Sequence, residues 1–314
     1  MNRPFLIYGL SGLCLGGLIL LALSLGVAGF GWGDHHTLLI LRAPRVVAAL
    51  AAGLALGVGG GAQQGLFRNP LADPGLTGVF GGALAGIAVL LTFQSEIAWR
   101  QTSVLPLAAF GGALLASVAL VILGNNKSPG RLLLTGLGIN AFTAAVVIVL
   151  ATLSPTSREL LTNGAYGDWL GLAAFRFTWL PCTLCVIASL CLFRFGTVWD
   201  YLSFGPEVAQ TLGINLLRTQ RWSILLTALA AAAATCLVGQ IAFIGLLAPH
   251  LARTLIGPRH RLMLPLAGIL GATLLLAADT AGRTLWTSTP LSAAGVMALI
   301  GAPLFIWIAR QHHV

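Results

Sequence analysis

Long, uninterrupted apolar runs separated by short polar segments are the main pattern along this chain. Residues 5–29 contain no charged side chain over 25 residues, and residues 46–67 contain none over 22. About 20 residues of helix, rising roughly 1.5 Å each, cross the hydrocarbon core of a bilayer, which is roughly 30 Å thick. Because the runs are continuously apolar and do not alternate with polar residues, they favour helices over the strands of a membrane barrel. The pattern predicts an all-α, polytopic membrane protein.

Ten segments have the length and polarity of membrane-spanning helices. The stretch 222–252 is the ambiguous part, because 31 residues without Asp, Glu, Lys or Arg are long for one helix and short for two. Gly239-Gln240 is the plausible turn if this stretch is a hairpin. The predicted spans have approximate limits of 5–29, 46–67, 77–93, 104–124, 132–154, 177–193, 222–239, 241–252 with an extension, 262–279 and 291–309.

The distribution of basic residues decides between one span and two in that stretch. Cytoplasmic loops of membrane proteins collect Lys and Arg. With two spans and both termini in the cytoplasm, 11 of the 17 basic residues lie inside and 6 outside, whereas one span would give 8 and 9. The bias therefore predicts ten spans. The inner basic residues are then Arg3, Arg68, Lys127, Arg131, Arg194, Arg218, Arg221, Arg253, Arg259, Arg261 and Arg310, and the outer ones Arg42, Arg45, Arg100, Arg158, Arg176 and Arg283.

Composition agrees with this membrane interpretation. Hydrophobic residues make up 57% of the chain and charged residues 8%, and the mean hydropathy is +0.93. Soluble domains carry about a quarter charged residues, so this chain could not cover its surface in water. We therefore expect residues 1–314 to form one membrane domain surrounded by lipid. The pI of about 10.4 comes from loops that set orientation, and no nucleic-acid partner is expected.

Chemistry that would mark an enzyme or an ion-coupled transporter is missing from the sequence. There is no G-x-x-x-x-G-K-[ST] nucleotide loop, no H-E-x-x-H metal pattern, and no cofactor is expected. An acid within the membrane is the usual sign of ion coupling, and Asp279 is the sole candidate. Because Arg283 follows four residues later, an interfacial ion pair is the simpler interpretation of Asp279. A chain without its own energy source needs a partner that supplies it.

Several polar or glycine-rich segments carry a family resemblance. They are Leu41-Arg-Ala-Pro-Arg45 before the second span, 66–75 after it, 204–213 in the large loop, 243–253 in the eighth span and 301–307 near the end. In this order and spacing they resemble the FecCD-type permeases, which import ferric siderophores, haem and cobalamin. The resemblance covers roughly residues 5–310.

The resemblance implies a type II ABC importer permease fold in the bacterial inner membrane. It also implies a homodimer, or a pair with a close paralogue, two separate ATP-binding cassette subunits and a periplasmic substrate-binding protein. The chain itself would be no enzyme. Within the family, a permease for another metal chelate or an oxyanion stays open as an alternative.

The loop segment 203–213 is expected to couple the chain to its ATPase. Pro206 suits the first turn of a helix, Glu207 suits its positive N-terminal end, and Gly213 suits the position just after its C-terminus. A short capped helix of this kind can dock into a groove of another protein, and the matching family segment contacts the ATPase. The alternative is a surface helix that only joins two spans. The predicted coupling residues are Gly205, Pro206, Glu207, Ala209, Leu212 and Gly213.

Three arginines on the outer side run against the charge bias and are expected to dock the binding protein. Arg42, Arg45 and Arg283 match family positions that engage carboxylates on its two lobes. The planar guanidinium group can bind a carboxylate through two hydrogen bonds. Anchoring to lipid headgroups is the alternative interpretation.

Two spans carry patterns of small or weakly polar residues. Gly53, Gly57, Gly61 and Gly65 recur every four residues on one face of the second span, which predicts close packing against another helix rather than ligand binding. In the fifth span, Thr135, Asn140 and Thr143 are expected by resemblance to line the translocation path. Such a wall is weakly polar and uncharged, which suits a bulky cargo that must also be released. Asn140 could equally bond a neighbouring helix.

Two other function classes remain as alternatives. An ion-coupled secondary transporter would need an ionisable residue in the middle of the membrane, and a membrane-embedded enzyme would need a cluster of polar catalytic groups at one depth. Neither feature is evident in the spans.

Overall fold

The computed structural model describes residues 3–26, 29–30, 37–93, 104–124, 129–155, 158, 170, 175–285 and 290–311. This part of the chain is almost entirely helical, as predicted. Its α-helices are α1 (Arg3–Ser24), α2 (Ala43–Phe67), α3 (Val79–Phe93), α4 (Val104–Leu123), α5 (Pro129–Leu153), α6 (Phe175–Ser203), α7 (Pro206–Thr211), α8 (Leu216–Val238), α9 (Ile244–Ile256), α10 (His260–Leu285) and α11 (Ala293–Gln311). A π-helix (Thr37–Arg42) and a 3-10 helix (Pro74–Thr77) flank α2, and two short strands, Leu25–Gly26 and Gly29–Phe30, pair antiparallel after α1.

Each of the ten predicted spans corresponds to one helix, and α7 lies between the sixth and the seventh. By length and composition six of the described helices are long enough to cross a membrane, and four further apolar helices are shorter. The predicted hairpin is also present, because α8 ends at Val238 and α9 begins at Ile244. Gly239 and Phe243 both have positive φ, 71° and 70°, and make the turn. Of the basic residues used to orient the chain, Arg100 and Lys127 lie outside the described residues.

Helix α2 runs through the centre of the bundle and is the most buried of the candidate spans. Its glycine face packs against α10 in an antiparallel register. A Cβ atom added to Gly53 would meet the Gly271 carbonyl oxygen at 2.5 Å, and one added to Gly65 would meet the His260 ring at 2.7 Å. The contacts of Gly57 with Ala267 and of Gly61 with Leu264 lie between these two. The predicted packing role of this face is confirmed, because the two backbones approach closely only where side chains are absent.

The segment after α2 folds back into the bundle. Asp73 accepts a hydrogen bond from the Gly75 backbone N–H at 2.7 Å and begins the 3-10 helix. The Gly75 carbonyl then accepts a hydrogen bond from Asn140 of α5 at 2.8 Å. On the other side of this turn, a Cβ on Gly245 of α9 would lie 2.6 Å from Asp73 Oδ2. The turn thus joins α2, α5 and the start of α9.

Two contacts between helices mark the opposite ends of the bundle. Asp200 of α6 contacts His260 of α10 at the end that carries α7, called the α7 end. Arg45 of α2 contacts Asp279 of α10 at the opposite end, called the Asp279 end. Since α2 and α10 run antiparallel between these contacts, each end gathers residues that are far apart in sequence.

Candidate functional site

Helix α7 projects from its end of the bundle as a short, doubly capped element. Pro206 occupies its first turn after Gly205, whose φ of 120° is accessible mainly to glycine. At the other end the Gly213 N–H donates to the Gln210 carbonyl and the Ile214 N–H to the Ala209 carbonyl, at 2.9 and 3.0 Å. This is the Schellman arrangement with Gly213 at C′, where φ is 78°. The predicted limits and caps of this helix therefore agree with its geometry.

Only one residue of α7 faces inward. Ala209 is fully buried in the main hydrophobic core, whereas Glu207 is exposed. Large apolar side chains around it are open: Phe204 is 74% exposed and Leu212 is 56% exposed. An exposed apolar surface on a rigid, anchored helix is suited to a protein partner. The coupling role of its residues stays a prediction.

Two of the three arginines predicted to dock a binding protein, Arg45 and Arg283, lie beside one carboxylate at the Asp279 end. Arg45 Nη2 lies 2.7 Å from Asp279 Oδ1, and Arg45 Nε lies 3.0 Å from the same oxygen. Arg283 Nε lies 3.6 Å from Asp279 Oδ2. The predicted pair of Asp279 and Arg283 is thus present, and it is buried within the protein, because the two side chains are 0% and 7% exposed.

Arg42 and Arg283 cap the C-terminal end of α1. The last carbonyl groups of a helix lack partners within it and form its negative end. Arg42 donates to the Leu23 carbonyl at 2.7 Å, and Arg283 donates to the Ala22 and Leu25 carbonyls at 2.5 and 2.9 Å. Sequence reasoning missed this role and the partnership of Arg45 with Asp279. Docking by the three arginines stays a prediction.

A wide apolar groove lies between α3, α4 and α5 and contains two of the predicted path residues. The groove has a volume of about 880 Å³, and Thr135 and Thr143 line it together with Phe142 and Val146. Both threonine hydroxyls donate to carbonyl groups one turn earlier in α5, at 2.8 Å, so the wall is only weakly polar. Asn140 does not line the groove, because its amide is bonded to Gly75. The bond to a neighbouring segment, which was one of the two interpretations of Asn140, is the one observed.

A second cavity, polar and basic, opens at the α7 end. It has a volume of about 550 Å³ and is lined by Arg68, Arg253, Arg259, Asp200 and His260, among others. Sequence reasoning did not find it, although the run of basic residues from Arg253 to Arg261 was a signal. Nothing in the sequence places Arg68, which precedes Arg253 by most of the chain, beside that run.

Comparisons with known proteins agree with this geometry. The model of the FecCD transport family matches residues 12–311. The chain is 36% identical over 320 residues to the hemin transport system permease protein HmuU of Yersinia pestis, covering 94% of both chains. It is 34% identical over 284 residues to the cobalamin import system permease protein BtuC of Halobacterium salinarum, covering 87% of this chain and 73% of that one. A solved metal-chelate type ABC transporter in an inward-facing conformation has a TM-score of 0.84 at 25% identity, over 99% of this chain and 100% of that one.

Proposed function

Because the chain belongs to the FecCD transport family, we propose that it is the membrane-spanning permease subunit of an ATP-binding cassette importer. Its cargo is an iron chelate, haem or cobalamin, and it carries that cargo across the inner membrane of a bacterium. The relatives that resemble it over most of their length are permeases for hemin and cobalamin. These cargoes are large and partly apolar, and the weakly polar groove between α3, α4 and α5 is compatible with them.

The observation that carries the proposal is the combination, within the described residues, of a ten-helix apolar bundle with one projecting helix. The sequence contains no nucleotide-binding loop, so ATP hydrolysis belongs to a separate subunit. Helix α7 presents exposed apolar side chains on a rigid, anchored support. We assign Gly205, Pro206, Glu207, Ala209, Leu212 and Gly213 to the contact through which the ATPase moves the bundle.

The proposed assembly contains two copies of this chain, or one copy and a close paralogue, with two ATPase subunits and one periplasmic binding protein. The α7 end and both termini face the cytoplasm, and the Asp279 end faces the periplasm. This orientation places the excess of basic residues inside, as the positive-inside rule requires. The translocation path is proposed to pass Thr135 and Thr143 along the two-fold axis of the dimer.

The arginine cluster at the Asp279 end is the proposed docking site for the binding protein. Arg42 and Arg45 are partly exposed, so a carboxylate arriving from outside can reach them. Arg283 is 7% exposed, so it contributes by holding Asp279 and the end of α1 in place. The exposed parts of Arg42 and Arg45 are positively charged, which favours an acidic partner surface.

Reconstitution in liposomes tests the proposal. The chain is combined with its ATPase and binding protein, and uptake is measured with and without ATP. Leu212→Asp, which puts a charge on the exposed apolar surface of α7, is expected to abolish most ATP-dependent uptake. The matched control is Leu217→Asp, because Leu217 is 47% exposed but lies beyond α7, in the first turn of α8.

Two outcomes would contradict the proposal. Uptake by the purified chain without an ATPase would show that it has its own energy source, as an ion-coupled transporter does. Full ATP-dependent uptake by the Leu212→Asp variant would exclude α7 as the coupling contact. Membrane insertion of each variant is checked by its elution as a folded species in detergent.

A further inference from the structure

The basic cavity at the α7 end contains more positive charge than the protein neutralises. Its lining includes Arg68, Arg253 and Arg259, and Asp200 is the one acid in that lining. In the part of the chain that the structure describes, none of the three arginines has an acidic side chain within ion-pair distance. The lining therefore has a surplus of about two positive charges.

Asp200 is already occupied by other groups. Its Oδ1 accepts a hydrogen bond from the His260 backbone N–H at 2.6 Å and lies 3.0 Å from His260 Nδ1. Its Oδ2 lies 3.4 Å from the Arg261 backbone nitrogen, which also donates to it. Asp200 thus caps the N-terminal end of α10 from the neighbouring helix α6. The Asp200 carboxylate is therefore not available to form an ion pair with any of the three guanidinium groups.

One wall of the cavity is built from the interior of the bundle. Arg253 donates a hydrogen bond to Gln64 Oε1. Gln64 is 4% exposed, and its amide donates to the Gly245 carbonyl at 3.1 Å. Arg253 is therefore held toward the cavity by a buried side chain, which is itself fixed to the start of α9. An arginine whose only role is to orient the chain in the membrane does not need a hydrogen bond that fixes its side chain in one position.

Orientation of the chain does not account for this arrangement. The positive-inside rule requires basic residues on one side but not their convergence on one cavity. Arg194 and Arg218 are exposed, lie on helices that reach the same end, and do not line the cavity. The convergence of Arg68, Arg253 and Arg259 from two distant parts of the sequence needs a separate reason.

We propose that this cavity binds a phosphate group, either of an anionic lipid headgroup or of a free phosphate ester. The guanidinium group matches the oxygen atoms of phosphate in two parallel hydrogen bonds, and three such groups suit an anion with several oxygens. The cavity lies at the α7 end, where the apolar helices α2 and α9 finish and α10 begins, so a lipid headgroup beside these helix ends could reach it. This site is independent of the ATPase contact on α7, although Phe204 at the start of the α7 segment borders it.

The test uses the purified chain in nanodiscs and a double variant, Arg68→Gln with Arg259→Gln. Both side chains are exposed, so these changes should not affect folding. The control is Arg194→Gln with Arg218→Gln, which removes the same charge from the same end. One arm titrates inorganic phosphate at constant ionic strength into phosphatidylcholine nanodiscs, and the other replaces part of the phosphatidylcholine with phosphatidylglycerol. Thermal unfolding and native mass spectrometry of retained lipid are the readouts.

We expect the wild type and the control variant to respond alike. The cavity variant should bind the effective probe roughly tenfold more weakly, a change that corresponds to about 1.4 kcal/mol. A response to phosphatidylglycerol alone identifies a lipid site, and a response to inorganic phosphate identifies a soluble ligand. No response of the wild type to either probe overturns the proposal and leaves an acidic side chain of a protein partner as the occupant. Equal losses in the cavity and control variants overturn it as well, because they would show a general charge effect.

Discussion

The two ends of this bundle use arginine in opposite ways. At the Asp279 end, Arg45 and Arg283 surround a carboxylate that is completely buried, and Arg42 and Arg283 hold the carbonyl groups at the end of α1. At the α7 end, Arg68, Arg253 and Arg259 line an open cavity without an acidic partner among the described residues. The first set is neutralised mainly by the protein itself, and the second set leaves its charge available.

Burial explains the difference. An ionised carboxylate out of water needs charged partners and hydrogen bonds close to it, because its solvation is lost. The cluster at the Asp279 end therefore joins α1, α2 and α10 in one fixed arrangement. Arginines that still reach water carry no such requirement, so the α7 end can keep a surplus of charge. The comparison predicts that charge changes affect stability at the Asp279 end and binding at the α7 end.

The largest expected effect is that of Asp279→Ala. The change leaves the buried Arg283 and the partly exposed Arg45 without their acid, and breaking a buried ion pair in this way typically costs roughly 3–5 kcal/mol. Unfolding in detergent, followed by helical circular dichroism, measures the loss. The control Glu207→Gln removes one negative charge from an exposed position on α7 and should change stability by about 0.5 kcal/mol or less. If Asp279→Ala costs no more than that control, the cluster is not a stabilising element.

A smaller loss of stability, of roughly 1–3 kcal/mol, is expected from Gly60→Ala, which tests the close packing of α2 against α9 between the two ends. The added methyl group would meet the backbone of Gly245, whose Cα atom would lie at 2.5 Å, so α2 or α9 must move. Gly59→Ala is the matched control, because its nearest contact is an ordinary one at 3.7 Å from Pro74. Equal melting temperatures for the two variants would mean that the close approach of α2 and α9 is not needed.

The third effect separates stability from charge at the α7 end. Asp200→Ala removes the cap of α10 and is expected to cost about 1 kcal/mol. Asp200→Asn keeps an oxygen acceptor for the His260 N–H but removes the negative charge, so stability should change less while binding of inorganic phosphate becomes tighter. Calorimetric titration and thermal unfolding of both variants measure these quantities. Weaker phosphate binding in the Asn variant would contradict the assignment of the cavity as an anion site.

Much of the architecture could be predicted from the sequence, because it depends on features that are local. The ten spans follow from the lengths of apolar runs together with the distribution of basic residues between them, and the glycine face of α2 follows from a four-residue repeat. The caps of α7 follow from Gly205, Pro206 and Gly213 within one short segment. Each of these signals concerns residues close together in the chain, where spacing alone fixes the geometry.

The charge arrangements could not be predicted in the same way. The contact between Arg45 and Asp279 joins residues 234 positions apart, and the one between Arg253 and Gln64 joins residues 189 apart. Both depend on how α2 sits against α9 and α10, and the spacing of residues in the sequence carries no information about that. The pairing of Asp279 with Arg283 was predicted, because the two residues are only four positions apart. Their own spacing was visible, but the burial produced by α1 and α2 was not.

The smallest effect concerns Asp73, which lies between the two ends. Its contribution to the stability of the fold depends on pH. Burial raises the pKa of the Asp73 carboxyl to about 6, although the hydrogen bond from the Gly75 N–H opposes this shift. In the unfolded chain the pKa is about 4, so between about pH 4 and 6 the folded protein holds a proton that the unfolded chain has lost. This contribution therefore decreases stability as pH rises through that window, and the loss is complete above it.

Asp73→Asn removes the ionisable group and keeps an acceptor for the Gly75 N–H, so it isolates this effect. A rise of the pKa from about 4 to about 6 corresponds to roughly 2.7 kcal/mol. Because Asp73 is only partly buried and water screens its charge, the variant should be more stable than the wild type by about 1 kcal/mol at about pH 8, where the wild-type carboxylate is charged. At about pH 4 the advantage should nearly vanish, because the carboxyl is then neutral in the folded protein. Thermal unfolding across this range measures the difference. A stability advantage that is independent of pH would show that the buried charge is not its cause. Packing alone would then determine how much the turn between α2 and α3 contributes to stability.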